Sequence, residues 1–97
     1  MITRAHFILY VDDQQRSAEF YCRMLQRDPA LDVPGMTEFL LGDATVLGIM
    51  PTAGIRELLG EALPDPASAD GIPRAELYLL VDRANDYLDR ALHAGAR

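Results

Sequence analysis

The chain has 97 residues, enough for one compact domain with a real core but too few for two independent ones. Its hydrophobic fraction of 49% and charged fraction of 25% are those of an ordinary globular protein. Nine basic residues stand against fifteen acidic ones, and the net charge of −6 would repel a nucleic-acid backbone. Nucleic acid is therefore excluded as an expected partner.

The chain also shows no signal for export or membrane insertion. Cys22 is the only cysteine, so the chain can form no internal disulfide and offers no cysteine cluster for zinc. The apolar run near the N-terminus is too short for a signal peptide, because Asp12 and Asp13 interrupt it. No run approaches the roughly eighteen apolar residues of a membrane span. We expect a cytoplasmic protein that does not act at a membrane.

The first thirty residues predict a strand followed by a helix. Residues 6–11 are short, apolar except for His6, and rich in aromatic and β-branched types, as in a buried strand. Asp12 or Asp13 can cap the following helix by accepting a backbone N–H from its first turn. The helix is indicated by one apolar stripe at helical spacing, made of Ala18, Tyr21, Cys22 and Leu25.

Three short strands and a second helix are predicted next. Residues 30–33 lie between prolines and form a short strand at best. Residues 37–41 and 45–50 are further strand candidates, separated by a glycine–aspartate pair at 42–43 that suits a tight hairpin turn. Residues 55–63 suit a short helix. Together these elements make a β-α-β-β-β module with a short trailing helix.

The pattern restarts after that first module, which covers residues 1–60. Residues 61–73 contain three prolines and predict a turn-rich linker. Residues 77–81 then predict a strand, and an apolar stripe after it predicts a helix that Gly95 ends. Residues 74–97 thus begin a second module but lack its last three strands. Either that module is abbreviated by nature or the chain is a fragment, and we expect one structural domain overall.

A sequence repeat relates the two modules. RAHFILYVDD at residues 4–13 is repeated in similar form as RAELYLLVDR at residues 74–83. In this repeat Asp82 corresponds to Asp12, so it is predicted to cap the second helix. At the third position of the repeat, His6 is replaced by Glu76. Equivalent positions of two modules related by a pseudo-twofold lie near the axis, so we expect these two side chains to face one another. The alternative is a hydrogen-bonded structural histidine and a solvated glutamate.

The two faces of the predicted strands differ in character, because side chains alternate across a strand. One face is wholly apolar and is expected beneath the helices: Phe7, Leu9, Val11, Leu77, Leu79 and Val81. The opposite face is mixed: His6, Ile8, Tyr10, Glu76, Tyr78 and Leu80. A mostly apolar surface with a few convergent polar groups is typical of a ligand cavity.

Two stretches of the chain resemble the vicinal oxygen chelate superfamily, which contains glyoxalase I, bleomycin-resistance proteins and extradiol dioxygenases. HFILYVDDQQRSAEFYCRML at 6–25 is similar to its opening strand, Asp cap and SxxFYxxxL helix, and AELYLLVDRANDYLDRALHAGAR at 75–97 is similar to the start of its second module. The resemblance is strongest to the glyoxalase-like bleomycin-resistance branch. It implies an α+β protein of the glyoxalase/bleomycin-resistance fold, with helices on one face of a curved mixed sheet and a cup on the other.

The resemblance also bears on metal binding. Metal-dependent members take ligands from the first and last strands of each module, which here places His6 and Glu76 at two ligand positions. Gly48 stands at a third, where it offers no side-chain donor and should leave room for a bound molecule. Two ligands fall short of the three or so that a catalytic metal normally takes from the protein.

The resemblance therefore favours a protein that binds a small, partly aromatic or apolar molecule, with neither a metal nor another cofactor. The expected binding residues are His6, Ile8, Tyr10, Gly48, Met50, Glu76 and Tyr78. A homodimer is expected as well, because a chain without three strands leaves unpaired sheet edges.

A metal-dependent enzyme is the alternative function. In it, His6 and Glu76 would hold nickel, zinc, iron or manganese with further ligands from a missing strand or a partner chain. Glyoxalase I-type lyase or isomerase chemistry is favoured over dioxygenase chemistry, since an extradiol iron takes two histidines and the second histidine, His93, is predicted at a helix end. Whether the protein is an enzyme stays open, and no catalytic residue is assigned.

Overall fold

Four strands form one mixed sheet in the computed structural model, which describes residues 1–73 and 75–97. The strands are β1 (Ala5–Val11), β2 (Leu31–Val33), β3 (Met36–Leu40) and β4 (Thr45–Pro51). Their order across the sheet is β1-β4-β3-β2, with β1 parallel to β4 and the other neighbours antiparallel. The predicted α+β class and the β-α-β-β-β order of the first module are confirmed.

Three helices accompany the sheet, and their ends follow local capping chemistry. They are α1 (Gln14–Leu25), α2 (Thr52–Leu59) and α3 (Ala84–His93). The carboxylate of Asp13 accepts the Arg16 N–H at 3.1 Å, which makes Asp13 the predicted cap of α1. At the end of α3, Gly95 takes a positive φ of 107° and the Ala96 N–H bonds to the Ala91 carbonyl at 2.9 Å, as predicted for a glycine that ends a helix.

The core lies between α1 and the sheet. Its buried members are Leu25, Phe39, Leu47 and Ile49, and the partly buried residues packed on them include Leu9, Val11, Tyr21, Leu77 and Leu79. Most of the predicted apolar face is therefore beneath the helices. Phe7 is the exception, because it stays 61% exposed on the edge strand β1. Burial raises the pKa of the Tyr21 phenol, whose ring lies 6.5 Å from that of Phe39.

Gln14 ties the start of α1 to the β2–β3 hairpin. Its Nε2 donates to the Val33 carbonyl and to the Thr37 hydroxyl, each at 2.9 Å, and its Oε1 accepts the Gly35 N–H at 2.9 Å. The Thr37 hydroxyl in turn donates to the Asp32 carboxylate at 2.9 Å, so this fully buried threonine has both a donor and an acceptor. We call these four bonds the Gln14 network.

The second predicted module differs from expectation. Residues 77–81 form no strand, although Leu77 and Leu79 pack on the core as their spacing predicted. The physical reason is pairing: a strand exists only beside a hydrogen-bonded neighbour, and the described part of the chain supplies no second copy of β4, the strand that pairs with β1. Asp82 is not the helix cap either, since α3 follows Arg83 without a capping side chain. Arg74, the counterpart of Arg4, lies outside the described residues.

The structure also differs from the predicted bounds of the second helix and from the predicted linker. α2 begins at Thr52 and ends at Leu59, and the rest of the predicted 55–63 helix is a 3₁₀ turn at Gly60–Ala62. A second 3₁₀ turn, Pro66–Ala69, lies within the linker. Its cap is Asp65, whose pKa is held below the usual range by the Ala67 N–H and the Arg56 guanidinium, against an opposing effect of burial.

Reciprocal bonds from two arginines join α1 to α3. Arg23 of α1 donates to the His93 carbonyl at 3.3 Å, and Arg90 of α3 donates to the Met24 carbonyl at 3.0 Å. Each helix thus satisfies a carbonyl near the C-terminal end of the other. Among the helices of residues 1–73 and 75–97, none combines the length and apolarity that a membrane crossing requires.

Candidate functional site

The sheet side turned away from the α1 core carries most of the predicted binding residues. Strand register places His6 opposite Val46, Ile8 opposite Gly48, and Tyr10 opposite Met50. On the other side of β4, Glu38 lies opposite Gly48 and Leu40 lies opposite Val46. We call this surface the open face; its members on β1, β3 and β4 are His6, Ile8, Tyr10, Met36, Glu38, Leu40, Val46, Gly48 and Met50.

The open face is apolar except for one ionisable pair. His6 Nδ1 lies 3.8 Å from Glu38 Oε1, so the two side chains meet diagonally above β4. Their side chains are 39% and 22% exposed, respectively. Around them, Ile8, Tyr10 and Leu40 are each between 38% and 48% exposed. The arrangement can orient a polar group of a ligand against a largely apolar surface.

Glu38 is the site residue that the sequence did not predict. It stands in the β3 stretch between Met36 and Leu40, so that the open-face positions of this strand alternate apolar, acidic and apolar. In the sequence, the signal for a site residue was this carboxylate between two apolar residues on the same face of a strand. Its partner could not be found without the sheet order, since only the placement of β4 between β1 and β3 brings Glu38 near His6.

Gly48 lies at the centre of the open face, but the space above it is filled. A Cβ atom added at this position would lie 3.1 Å from Ile8 Cγ1 and 3.4 Å from Met36 Sδ. The first distance is tighter than an ordinary van der Waals contact, and the second is at the short limit of one. The prediction that Gly48 leaves room for a bound molecule is therefore wrong for the space directly above it. A ligand on this face would rest on Ile8 and Met36 instead.

Glu76 and Tyr78 do not join the other predicted site residues on a strand. Both are exposed, Tyr78 by 77%, and they lie outside any strand. Within the part of the chain that the structure describes, His6 makes its ion pair with Glu38 and none with Glu76. The expectation that His6 and Glu76 face one another is not met, because residues 77–81 never pair into the sheet that would bring them together.

Comparison with known families settles the membership of the chain. A family model described as the Glyoxalase/Bleomycin resistance protein/Dioxygenase superfamily matches residues 3–97. The chain belongs to this superfamily. Neither the curated proteins nor the solved structures include a significant match. The mixed βαβββ sheet is thus consistent with the glyoxalase-type module that the resemblance implied.

A catalytic metal site needs about three protein side chains that can act as ligands. Over residues 1–73 and 75–97, no three His, Cys, Asp or Glu side chains cluster as metal ligands would. His6 and Glu38 offer two donors 3.8 Å apart, and Gly48 adds none. His6 and Glu38 therefore supply two of the three or so protein ligands that a catalytic metal takes.

The open face is one-sided. A groove of about 1070 Å³ lies elsewhere, between α1 and residues 29–34, and is lined by Asp12, Asp13, Glu19 and Asp32 among others. On the open face, by contrast, Ile8 and Tyr10 are half-exposed and reach solvent, whereas Val46 is fully buried. A small molecule bound on this superfamily module would be covered from one side by the residues described above.

Proposed function

We propose that the open face binds a small apolar or partly aromatic molecule, and that it does so without a metal. Superfamily membership supports a small-molecule role. The observation that carries the proposal is the make-up of the face, where half-exposed apolar side chains surround the single pair of His6 and Glu38. Burying apolar area supplies affinity of roughly 25 cal/mol per Å².

The Glu38 carboxylate supports a polar contact to the ligand. Its side chain is only 22% exposed, yet no hydrogen bond to it occurs among the described residues, and His6 Nδ1 at 3.8 Å is beyond hydrogen-bonding distance. No buried side-chain oxygen of the described residues lacks a partner, so the Glu38 oxygens still reach solvent and are free to accept a hydrogen bond. A donor group on the ligand would bond to this carboxylate, and His6 beside it would restrict the direction from which that group approaches.

We propose that a second copy of the chain supplies the other wall of the site. Ligand pockets usually bury about 70–90% of the surface of a small molecule, which a one-sided face cannot do. β1 is an edge strand in the order β1-β4-β3-β2, so one side of its backbone has no strand neighbour within the described residues. Such edges favour pairing with another chain, which supports a homodimer.

Binding of the neutral fluorescent probe N-phenyl-1-naphthylamine tests the site. The protein should bind this flat aromatic amine, and Ile8→Ser should weaken binding about tenfold, because a buried isoleucine contributes about 1.5–3 kcal/mol. Leu88→Ser is the matched control: it removes an exposed apolar side chain on α3, away from the open face, and should leave the affinity unchanged. Absence of binding, or equal losses in both variants, would contradict the proposal.

Metal content and molecular mass test the other two parts. Elemental analysis of the purified protein and of a His6→Ala variant should find no stoichiometric nickel, zinc, iron or manganese in either. Light scattering should give twice the chain mass of 10.7 kDa. Metal that is present in the wild type and lost in both His6→Ala and Glu38→Gln would contradict the metal-free proposal and favour the metal-dependent alternative. A monomer that binds the probe would overturn the two-copy site.

A further inference from the structure

Three arginines gather at one end of the molecule, away from the open face. All nine basic residues of the chain are arginines, and Arg23, Arg27 and Arg90 line a single pocket of about 540 Å³. The pocket lies where α1 and α3 both end, and it is also lined by residues of the turn after α1. We call it the arginine pocket.

Backbone carbonyls hold the three guanidinium groups in place. Arg23 donates to the His93 carbonyl, Arg90 to the Met24 carbonyl, and Arg27 to the Leu40 carbonyl at 2.5 Å. Arg90 is fixed further by lying over the Tyr87 ring, 4.3 Å from its centroid. Since a guanidinium group carries several N–H donors, each arginine keeps donors that these bonds do not use.

The positive charge of the pocket is not neutralised by its surroundings. In the described part of the chain, no carboxylate lies within ion-pair distance of Arg23, Arg27 or Arg90; the ion pairs there involve other residues. Asp28 lines the pocket and contributes one negative charge. The C-terminal ends of α1 and α3 each carry about half a negative charge, so together they contribute about one further negative charge. Three positive charges therefore leave an excess of about +1, on a chain whose net charge is −6.

We propose that the arginine pocket binds a small molecule through an oxyanion, either a phosphate or a carboxylate group. The planar fork of a guanidinium group matches both groups and can bind them through two parallel hydrogen bonds. Arginines already held by carbonyls lose little further freedom when the anion arrives. The pocket volume lies within the range of small-molecule sites, at about 300–1,000 Å³.

The pocket spans two helices that are distant in sequence. Arg23 and Arg27 come from α1 and the turn after it, whereas Arg90 comes from α3. A bound oxyanion would contact all three and would join α3 more firmly to α1. Because the anion then binds the folded chain and not the unfolded one, it should raise the midpoint of thermal unfolding.

Substitutions at Gln26 can change the charge of the arginine pocket without removing a side-chain hydrogen bond. It lines the pocket, is exposed, and makes no side-chain hydrogen bond among the described residues. By calorimetry with inorganic phosphate at constant ionic strength, Gln26→Lys should bind more tightly and Gln26→Glu more weakly than the wild type. Both variants keep the same left-handed backbone position, so strain does not separate them.

Arg27→Gln should weaken phosphate binding about tenfold or more, since a hydrogen bond to a charged group contributes about 1.5–3 kcal/mol. Arg83→Gln is the control, because it removes the same charge from an exposed ion pair outside the pocket and should not change the affinity. A parallel titration with succinate distinguishes phosphate from carboxylate recognition. Equal binding by the two Gln26 variants, or equal losses in Arg27→Gln and Arg83→Gln, would overturn the proposal whatever the aromatic probe shows at the open face.

Discussion

Leu47→Ala is expected to lower the free energy of unfolding by about 2–5 kcal/mol, the range for a leucine truncated in a well-packed core. Leu47 is fully buried on β4, one of the two strands with a neighbour on both sides, and its register partners are Phe7 and Phe39. A cavity at this position is surrounded by strand backbone and cannot collapse easily. Since small domains are stable by about 5–15 kcal/mol, the loss is a large share of the total.

Urea unfolding followed by circular dichroism measures this effect. Leu88→Ala is the matched control, because it makes the same substitution at a leucine that is 56% exposed on α3. Its unfolding free energy should change by less than about 0.5 kcal/mol, as for ordinary surface positions. Similar losses in the two variants would show that the centre of the core is not where the structure places it.

The second large effect is expected from Gln14→Leu, which should cost about 2 kcal/mol. Leucine keeps much of the side-chain volume but leaves the Gly35 N–H and the Val33 carbonyl without the Gln14 network. The buried Thr37 hydroxyl keeps its bond to Asp32 and loses the one from Gln14. Buried polar groups left unsatisfied cost about 1–3 kcal/mol each, and solvent can replace the bond to the exposed Val33.

Gln15→Leu is the control for Gln14→Leu: it replaces a glutamine of α1 that is not part of the Gln14 network. Gln15 is the next residue on α1, is exposed, and makes one side-chain bond, to Glu19 at 3.4 Å. Its replacement should change the stability by less than about 0.5 kcal/mol. Hydrogen exchange of the Gly35 amide gives a local readout, since exchange should accelerate in Gln14→Leu and stay unchanged in Gln15→Leu. Slow exchange in both variants would argue against the network.

The first module could be predicted because its signals are local. All four strands lie within one residue of the predicted bounds at each end, and Asp13 caps α1 as one of two expected residues. Short apolar runs, a capping carboxylate and a glycine–aspartate turn each act over a few residues. α2 starts three residues earlier than predicted, at Thr52, directly after the strand that ends at Pro51.

The site and the second module depend on contacts that are distant in sequence. Residues 77–81 carry the same apolar alternation as β1, yet a strand forms only beside a partner. The pairing of His6 with Glu38 depends on the order of three strands, and a sequence repeat pointed to Glu76 instead. The space over Gly48 is filled because the side chains of Ile8 and Met36, from neighbouring strands, lie next to it. Such facts follow from register and packing, which local patterns do not contain.

Gly48 also limits how a second carboxylate could be introduced on the open face. A Gly48→Glu replacement would place a carboxylate on the open face, but its Cβ would meet Ile8 Cγ1 at 3.1 Å. A smaller residue at position 8 would relieve that contact. The two changes therefore depend on each other: the glutamate is strained while Ile8 remains. The shortest mutational route to a glutamate at position 48 therefore passes through position 8 first.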